Sequence, residues 1–484
     1  MNVLAVASET YPIIKTGGLA DVVGALPAAL APHGIAVRTL LPGYPAVLAA
    51  AGRARTLHTM ALFGADARIR AITLQGLPLL VLDAPHLYDR PGTPYNAPGG
   101  QDWPDNPQRF SALGQAAAAI AQGALGTWRP ALVHAHDWQA GYAIAHIHYG
   151  PQPRPATVFT VHNLAFQGWC PAALLGTLGL PPESFDIDGV EFYGGISPLK
   201  AGLRLADRIT TVSPTYAAEI TRPEHGQGLD GLLRTRAPDL HGILNGIDTT
   251  VWDPAKDPLL PARYGGPHAR RRGRNKAALQ SVLQLDPTPG TLLFGMVTRL
   301  SQQKGIDLVL DTLPDLLATG AQLAVLGSGD PTIEAALRDA SAQYRGRIAL
   351  HVGYDEALAH LIQAGSDALL VPSRFEPCGL TQLCAQRYGA IPVVARVGGL
   401  ADTVVDANSA ALSAGVANGI QFFPVDREAF GAAIRRAAAF FADMHVWQPL
   451  QRNAMRAAVG WTGPASEYAQ IFHAITGNLR AGVP

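Results

Sequence analysis

Lys15-Thr16-Gly17-Gly18-Leu19-Ala20-Asp21-Val22 is the stretch around which the rest of this sequence is organised. It follows an apolar run, residues 2–8, that is typical of a buried parallel strand, and it leads into residues 19–30, whose apolar spacing predicts a helix. Paired glycines in a strand-to-helix turn let backbone N–H groups approach an anion at the positive end of the helix dipole, and Lys15 adds a mobile cation. The turn therefore suits a diphosphate, although a turn that serves packing alone uses the same glycines.

The turn has a second copy late in the chain. Gly398-Gly399-Leu400-Ala401-Asp402 repeats the five letters of residues 17–21, and it also follows an apolar run, residues 391–395. Because both copies occupy the same strand–turn–helix context, they indicate two similar halves, each with a glycine turn that opens a helix.

The composition restricts the class of function. A chain of 484 residues, of which 48% are hydrophobic, predicts two or three domains with large cores. Charged residues make up 15% and the formal net charge is zero, which argues against a nucleic-acid or acidic-membrane partner. The three cysteines form no CxxC pair and fit a reducing compartment. With no secretory signal and no run long enough to span a bilayer, we expect a cytoplasmic protein.

Strand-like and helix-like segments alternate along the chain. We predict strands at residues 36–41, 68–75, 77–83, 131–135, 156–161, 208–212, 291–297, 321–326, 347–352, 367–371 and 391–395, and helices that include 108–123 and 196–206. Residues 84–107 and 164–195 are irregular, and the first of these is expected to be a binding loop or a lid. The repeated βα units predict two doubly wound domains that face each other across a cleft, with a boundary near residues 244–248 and ligands outside the carboxyl ends of the strands.

Two loops of the second half carry charged groups at predicted strand ends. Arg299-Leu300-Ser301-Gln302-Gln303-Lys304-Gly305 places two cations on one loop, which predicts an anion clamp rather than ordinary surface cations. In Ser373-Arg374-Phe375-Glu376-Pro377-Cys378-Gly379-Leu380-Thr381, residues 379–381 can present N–H groups at a helix start, which is a second phosphate seat. Glu376, beside this helix start, could bind sugar hydroxyls or balance a positive charge that develops on a sugar carbon. Alternatively, it is a carboxylate that the helix dipole favours at a helix start.

The signals for a metal or a dinucleotide are weak. His134 and His136 flank one residue of a strand, with no cysteine near them, so satisfied core histidines are the simpler interpretation. Residues 186–188 (Asp-Ile-Asp) lie in a polar loop, and residues 327–330 lack the third glycine of a nicotinamide-cofactor motif. The basic run at residues 270–274 is expected to be the solvated start of a helix. We therefore predict no metal and no cofactor.

Taken in order, these motifs resemble those of bacterial glycogen synthases and plant starch synthases. The motifs are residues 15–21, His136-Asp137-Trp138, Val161-His162-Asn163, Asn245-Gly246-Ile247-Asp248, residues 299–305 and residues 374–382, and they span nearly the whole chain. The resemblance implies an α/β GT-B fold of two Rossmann-like doubly wound domains facing each other across a deep cleft. It implies an acceptor domain at residues 1–244, a donor domain at 245–457 and a C-terminal helix, within 458–484, that crosses back to the first domain.

The resemblance also implies an activity and its site residues. The activity is retaining transfer of glucose from a nucleotide sugar, ADP-glucose in bacteria, to the non-reducing end of an α-1,4-glucan such as glycogen or a malto-oligosaccharide. The catalytic residues would be Asp21, His162, Arg299, Lys304 and Glu376. The donor would be bound by Lys15, Gly17, Gly18, Cys378, Gly379, Leu380 and Thr381, with Tyr354 stacked on its adenine. The acceptor would be bound by Glu9, Tyr95, Asp137 and Trp138.

The sequence departs from the family pattern at two positions. Gln139 stands where the family often has histidine, and Cys384 stands where related GT-B enzymes often have a second glutamate for the ribose. The rival interpretations are a GT-B transferase with another donor base or a small-sugar acceptor, and a glucan-binding relative without activity. The complete set of expected residues at positions 15, 21, 162, 299, 304 and 376 argues against the second rival.

Overall fold

The computed structural model describes residues 1–52, 54–74, 76–265, 271–288 and 290–481. The chain divides into two compact units. Unit 1 consists of Met1–Asn245 with Trp461–Pro484, and unit 2 consists of Gly246–Gly460.

Unit 1 alternates strands and helices along its first 245 residues. Its elements in chain order are β1 (Asn2–Val6), α1 (Gly18–Leu30), β2 (Ala36–Pro42), α2 (Pro45–Ala51), β3 (Arg55–Leu62), β4 (Ala65–Leu74), β5 (Leu77–Asp83), α3 (Pro85–Tyr88), α4 (Asn106–Ala121), β6 (Leu132–His136), α5 (Asp137–His148), β7 (Ala156–Val161), β8 (Cys170–Pro171), β9 (Glu191–Phe192), β10 (Gly195–Ile196), α6 (Pro198–Leu205), β11 (Arg208–Thr211), α7 (Pro214–Glu219), α8 (Asp230–Thr235) and β12 (Leu240–Gly242).

Unit 2 repeats the alternation. Its elements are α9 (Arg272–Val282), β13 (Leu293–Val297), α10 (Ile306–Ala318), β14 (Gln322–Gly327), α11 (Pro331–Gln343), β15 (Ile348–Val352), α12 (Glu356–Gly365), β16 (Ala368–Val371), α13 (Thr381–Tyr388), β17 (Ile391–Ala395), α14 (Gly398–Thr403), α15 (Ser409–Ser413), β18 (Ile420–Phe422), α16 (Arg427–Ala442) and α17 (Met444–Arg456). The last helix, α18 (Thr462–Ala481), belongs to unit 1.

The main sheet of unit 1 changes winding direction next to its first strand. Its order is β12-β11-β7-β6-β1-β2-β5-β4-β3, and the pairs from β12 to β5 are parallel. β3, β4 and β5 pair antiparallel and extend one edge. The order reverses between β1 and β6, and ligands of such sheets bind outside the carboxyl ends of the strands at that point. The segments after β1 and β6 contain Lys15 and Asp137 respectively.

The sheet of unit 2 has the strand order of a dinucleotide-binding fold. The order is β15-β14-β13-β16-β17-β18, and every pair is parallel. Counted within the unit, this is 3-2-1-4-5-6, with the reversal between β13 and β16. The loops that follow those two strands are residues 298–305 and 372–380, so the topology brings both predicted anion-binding loops to the same edge of one sheet.

Helix α18 completes a core of unit 1. Its buried aromatic residues Tyr468 and Phe472, with Trp461 just before it, lie in one cluster with Val3 of β1 and Leu26 of α1. The chain therefore returns after unit 2 to cover one face of the first sheet.

The predicted strands are confirmed to within a few residues, apart from residue 75, which lies outside the described residues. Three expectations need correction. Strand β3 was not predicted, although it pairs with β4 along an edge. Residues 84–107 include the short helix α3 and are tied to α4: buried Arg109 donates to Leu87 O at 2.9 Å, Pro94 O at 3.0 Å and Asn106 Oδ1 at 2.6 Å. This segment is therefore not wholly irregular, and its role as a binding loop or a lid stays a prediction.

The third correction concerns the basic run at residues 270–274, of which residue 270 lies outside the described residues. Helix α9 begins at Arg272, but that side chain is buried and donates to Ser366 O at 2.5 Å. It therefore fixes α9 against the end of α12 instead of being solvated, because a buried guanidinium needs an acceptor.

Candidate active site

The glycine turn of unit 1 is held in place by a buried carboxylate. Glu9, which is 2% exposed, accepts hydrogen bonds from Thr16 N and from Thr16 Oγ1, the latter at 2.6 Å. It also accepts from the hydroxyl of Tyr95, whose oxygen lies 2.8 Å from Ser8 Oγ. Burial, and then the nearby Glu9 charge, raises the pKa of Tyr95, so the hydroxyl stays protonated and donates. Glu9 and Tyr95, predicted acceptor residues, therefore join β1, the glycine turn and the 84–107 loop.

The turn itself leaves its cation and glycines accessible. Lys15 Nζ lies 2.9 Å from Asp21 Oδ1, and the two side chains are 28% and 26% exposed. Gly17 has an extended backbone with φ −157°, and a Cβ built on it would meet nothing within 4 Å. Gly18, the first residue of α1, is exposed. The structure thus brings together Lys15, Gly17, Gly18 and Asp21 at the open N-terminus of α1, where an anion is favoured.

The second element of the unit 1 site begins where β6 meets α5. Asp137 has a left-handed backbone, φ +55°, and its carboxylate accepts from the amide of His162 at 2.6 Å. Loss of hydration raises the pKa of Asp137 to about 7, although hydrogen bonds from the backbone at His162 and Asn163 lower it. Trp138 packs edge-on against Phe110, with ring centroids 5.0 Å apart. Asp137 and Trp138 are therefore fixed side by side, next to the end of β7.

A row of histidines lies behind His162. His136 Nδ1 is 3.0 Å from His162 Nε2, and His134 Nε2 is 2.6 Å from Thr160 Oγ1. Burial lowers the pKa of His134 and of His162 to about 3, and it lowers the pKa of His136 well below its usual range. All three rings are therefore neutral at physiological pH, and one nitrogen of the His136–His162 contact donates to the other. His134 is a satisfied core histidine, as the sequence indicated.

In unit 2, a lysine and a buried glutamate meet at the switch point of the sheet. Lys304 Nζ lies 2.5 Å from Glu376 Oε2, and Ser373 Oγ donates to the same oxygen at 2.9 Å. The Glu376 side chain is 9% exposed and that of Lys304 17%. Arg299, on the same loop as Lys304, is exposed, and none of the described residues bonds or pairs with its guanidinium. The predicted cation pair is thus divided: Lys304 compensates a carboxylate, whereas Arg299 points to solvent.

A bidentate ion pair fixes the two loops to each other. Arg374 donates to both carboxylate oxygens of Asp307 at 2.6 Å and to Gln302 O at 2.8 Å. The Arg374 amide also donates to Gln303 O at 2.9 Å, and Gln303 Nε2 donates to Phe375 O at 3.2 Å. Because these contacts occupy Arg374, this residue positions the loops rather than binding a ligand. The sequence did not predict the Arg374–Asp307 pair, because its members lie 67 residues apart and no local pattern indicates it.

The start of α13 has the features of an anion seat. Gly379 adopts a left-handed conformation, φ +72°, just before the helix begins at Thr381. In the part of the chain that the structure describes, no acceptor is recorded for the amide groups of Gly379, Leu380 and Thr381. Gln382 Nε2 donates back to Cys378 O at 3.0 Å and to Gly379 O at 2.9 Å, which holds the turn in shape.

The remaining donor predictions lie at the same edge of the sheet of unit 2. Tyr354 follows the end of β15, is 71% exposed and donates its hydroxyl to Glu356. Cys378 is buried beside the α13 turn.

Gln139, which departs from the family pattern, lies on α5 of unit 1. It is 5% exposed, and its Oε1 has no hydrogen-bond partner among the described residues.

The described residues contain no group of three or more histidine, cysteine, aspartate or glutamate side chains placed to hold a metal ion. Asp188 of the acidic loop instead pairs with Arg204 at 2.8 Å. No helix within the described ranges is both long and apolar enough to cross a bilayer.

Two family models match separate parts of this chain. A family model described as "Starch synthase catalytic domain" matches residues 2–235, and one described as "Glycosyl transferases group 1" matches residues 284–439. The glycogen synthase of Rhodopseudomonas palustris (strain BisB18) is 59% identical over 476 residues, covering 98% of this chain and 97% of that protein. The glycogen synthase of Acidiphilium cryptum (strain JF-5) is 59% identical over 477 residues, covering 98% and 100%.

Solved structures extend the likeness to three dimensions. The catalytic domain of Starch Synthase IV from Arabidopsis thaliana, bound to ADP and acarbose, superposes with a TM-score of 0.89 at 32% identity. That match covers 98% of this chain and 99% of the plant domain. A sucrose-phosphate synthase from Thermosynechococcus elongatus, with a TM-score of 0.61 and 17% identity, shares the fold alone.

Proposed function

This chain belongs to the family of bacterial glycogen synthases and plant starch synthases, and from that membership we propose that it moves glucose from ADP-glucose to the non-reducing end of an α-1,4-glucan. It has the GT-B fold and is a glycosyltransferase that takes a nucleotide-sugar donor and a glucan acceptor. Adenine as the donor base and glycogen or malto-oligosaccharide as the acceptor are the finer parts of the proposal. A cytoplasmic location stays a prediction.

One observation supports the proposal most strongly: the arrangement at the switch point of unit 2. A paired Lys304–Glu376 couple lies on loops that follow β13 and β16, with exposed Arg299 on the first loop and the open amide groups of α13 after the second. A sugar diphosphate has the matching chemistry, because its phosphates need cations and N–H donors while its sugar hydroxyls need a carboxylate acceptor.

We assign the residues of unit 2 to the donor. Arg299, Lys304 and the amide groups of residues 379–381 would bind the diphosphate and stabilise the negative charge that develops on it as it leaves. Glu376 would accept hydrogen bonds from glucose hydroxyls, since its Oε2 is already oriented by Ser373 and Lys304. Tyr354, exposed beside the end of β15, has the ring needed to stack on adenine.

We assign the residues of unit 1 to the acceptor and to the transfer step. Lys15 and Gly18 at the N-terminus of α1 would contribute to the diphosphate, and Asp21 and His162 would act at the reacting centre. His162 is neutral, so it offers a hydrogen bond or its backbone group rather than a positive charge. Trp138 has a broad apolar face for the acceptor, and Asp137 and Glu9 bring carboxylates to the same region.

The reaction that these assignments support retains the α-configuration. The bond between C1 of the glucose and the diphosphate oxygen breaks, the acceptor O4 bonds to C1 on the same face, and the acceptor proton passes to the departing phosphate. No carboxylate is assigned to the opposite face as a nucleophile, so we predict no covalent glucosyl-enzyme. The positive field of Arg299, Lys304 and the helix start is what a departing diphosphate needs, so we also predict no metal requirement.

The experiment that tests the function measures nucleotide release from ADP-glucose and from UDP-glucose, with and without glycogen. We expect release that depends on glycogen and is faster with ADP-glucose, and a new linkage that an α-specific amylase cleaves. Chelator-treated enzyme should keep its rate. Equal use of both donors would reject the adenine assignment, and rescue of a chelated, inactive enzyme by Mg²⁺ or Mn²⁺ would reject the metal-free mechanism.

The donor clamp is tested by substitution. Arg299→Ala should lower kcat/KM for the donor by about ten- to a hundredfold, because a charge-assisted bond to phosphate is lost. Arg338→Ala is the matched control: that guanidinium is on α11 of the same unit, and its side chain is 60% exposed in a 3.6 Å pair with Glu334. Near-normal turnover of Arg299→Ala would remove Arg299 from the donor site.

A further inference from the structure

Exposed large hydrophobic side chains are concentrated in one part of unit 1. Within the described residues of that unit, Phe166, Trp169, Ile187 and Tyr193 are the large hydrophobic residues that are prominently exposed, with 51%, 53%, 75% and 77% of their surface accessible. All of them fall in the irregular stretch that contains the small sheet β8-β10-β9. Scattered exposed apolar residues need no explanation, but a cluster of them marks a binding surface.

Tyr193 is kept in an unfavourable backbone conformation. It forms the tip of the β9–β10 hairpin with Gly194, and both residues have positive φ, +48° and +76°. The Gly194 amide donates to Glu191 Oε1 at 2.8 Å and closes the turn. Asn, Asp or Gly occupies such a position at little cost, whereas a bulky aromatic residue there is a genuine outlier. Its presence at the exposed tip therefore points to a use for the ring.

Trp169 is a rigid neighbour of that tip. Its indole Nε1 donates to Phe192 O at 3.0 Å, and a Cβ at Gly195 would collide with its ring. The glycine therefore lets the ring approach the β10 backbone closely while half of its surface stays accessible. Phe192 and Tyr193 contact each other edge-on, with ring centroids 4.6 Å apart. The aromatic rings are thus held by the hairpin and need little ordering when a ligand arrives.

The same stretch is continuous with the residue assigned to the acceptor. Gly168 has φ +63°, and a Cβ there would collide with the Trp138 ring, so the chain between Phe166 and Trp169 lies directly on Trp138. An acidic side chain adjoins the patch: Asp188, next to Ile187 in the chain, is 70% exposed even though it pairs with Arg204. Carboxylates disfavour a nucleic acid or an anionic membrane, whereas they accept hydrogen bonds from the hydroxyls of a neutral sugar.

We propose that Phe166, Trp169 and Tyr193 form an aromatic platform that binds an α-glucan chain leading away from Trp138. Pyranose rings have an apolar face of C–H groups, and Trp and Tyr present wide, stiff, amphipathic surfaces to such a face. The platform rests on the proposed function, since it would hold the distal part of the acceptor. It explains why the rings are exposed, why a strained tyrosine is kept and why the stretch packs on Trp138.

The test separates the ring of Tyr193 from its backbone. Tyr193→Asn removes the ring and supplies a residue that favours positive φ, so the melting temperature should stay the same or rise. Combined with Phe166→Ala, it should raise the dissociation constant for glycogen, measured without donor by electrophoresis in glycogen-containing gels, by about tenfold, because two stacking contacts are lost. Transfer to maltotriose, which is too short to span the platform, should change less than about twofold.

Phe423→Ala is the matched control, because that ring is 61% exposed in unit 2 and outside the platform. It should leave glycogen affinity unchanged. Unaltered glycogen binding by the Phe166→Ala/Tyr193→Asn double variant would overturn the platform, as would a wild-type dimer that this variant converts to a monomer, since a second copy would then be the occupant. Wild-type protein that binds glycogen through the platform but transfers no glucose from ADP-glucose would instead contradict the proposed function alone.

Discussion

The two copies of Gly-Gly-Leu-Ala-Asp, at residues 17–21 and 398–402, have the same sequence but lie in different environments. The first copy follows β1 and the second follows β17, each of which has parallel neighbours on both sides, and both copies open a helix. At the first copy, a Cβ on Gly17 would meet nothing within 4 Å. At the second, Gly398 and Gly399 are buried, and the Gly399 amide donates to Glu376 O and Pro377 O, each at 3.1 Å.

The cations that precede the two turns differ in the same way. Lys15 lies two residues before Gly17 and pairs with Asp21 beside the open helix start. Arg396 lies two residues before Gly398, and its guanidinium sits 5.1 Å from the centroid of the Phe423 ring. The first turn thus has a partly exposed cation and open space beside its first glycine, whereas at the second turn the Gly399 amide is bonded to the loop that carries Glu376. Identical sequence at equivalent places in two similar folds therefore gives one open turn and one supporting turn, and we predict that the open turn binds the ligand.

The largest expected effect tests the two cations against each other. Lys15→Ala should lower kcat/KM for ADP-glucose by about ten- to a hundredfold, because a charge-assisted bond to the diphosphate is removed. Arg396→Ala, the equivalent change at the second turn, should alter it less than about twofold, since a surface cation–π contact contributes little. Steady-state kinetics with varied donor at saturating glycogen measure both. Equal losses in the two variants would mean that both turns bind ligand, and the comparison would fail.

The next effect concerns the glycines themselves and is read in stability. In Gly399→Ala the new Cβ would collide with Cys378 O, and at Gly398 with Glu376 O, so the 376–378 loop must move. We expect Gly399→Ala to lower the free energy of unfolding by roughly 1–3 kcal/mol, as overpacking does. Gly17 has an extended backbone with open space beside it, so Gly17→Ala should change the free energy of unfolding by less than about 0.5 kcal/mol. Denaturant melts followed by fluorescence measure both values.

Activity measurements on the same two glycine variants complete the comparison. Gly17→Ala should lose activity without losing stability if a phosphate approaches the turn closely, because the added methyl group occupies the space of the ligand. Gly399→Ala should lose activity together with stability, through displacement of Glu376. A Gly17→Ala variant with full activity would show that no ligand comes within van der Waals distance of that glycine.

Much of the fold was readable from the sequence because its signals are local. The largely apolar runs at residues 156–161 and 391–395 coincide with β7 and β17, since a strand buried on both faces consists mainly of apolar residues. Strand β3 was missed because it pairs at an edge, where half of its residues face solvent and the apolar pattern is lost. Arg272 was misjudged because a run of arginines gives no sign of which one has a buried carbonyl to bind.

The candidate site was readable only in part, for a similar reason. Arg299 and Lys304 could be predicted as site residues because strand ends and cations are visible in the sequence. The pairing of Lys304 with Glu376 and of Arg374 with Asp307 depends on loops 72 and 67 residues apart that meet only because β13 and β16 are neighbours. Sequence reasoning treated the two glycine turns as equivalents, since it is the burial of Gly398 and Gly399, not their identity, that distinguishes them.

The smallest expected effect on turnover is a pH dependence that arises from Asp137, in the unit that contains the first turn. Asp137 has a pKa of about 7 in the folded protein, against 3.8 for an ordinary aspartate, mainly because burial disfavours its charge. The unfolded chain therefore releases this proton at lower pH than the folded chain does. Stability from this group falls as pH rises from about 4 to about 7, and it is constant above that range. Asp137→Asn, which is neutral throughout, should gain stability relative to wild type across the same interval.

Activity should follow the opposite direction. The charged Asp137 carboxylate is the stronger acceptor for the His162 amide at 2.6 Å, so wild-type turnover with saturating donor should rise a few-fold as pH increases through 7. Asp137→Asn should be slower and should lack that rise, while Arg396→Ala, at the second turn, should keep it. Melting temperatures and rates measured together from pH 5.5 to 8.5 give both curves. A rise through pH 7 that survives in Asp137→Asn would assign the titration to another group and would separate Asp137 from the chemistry near the first turn.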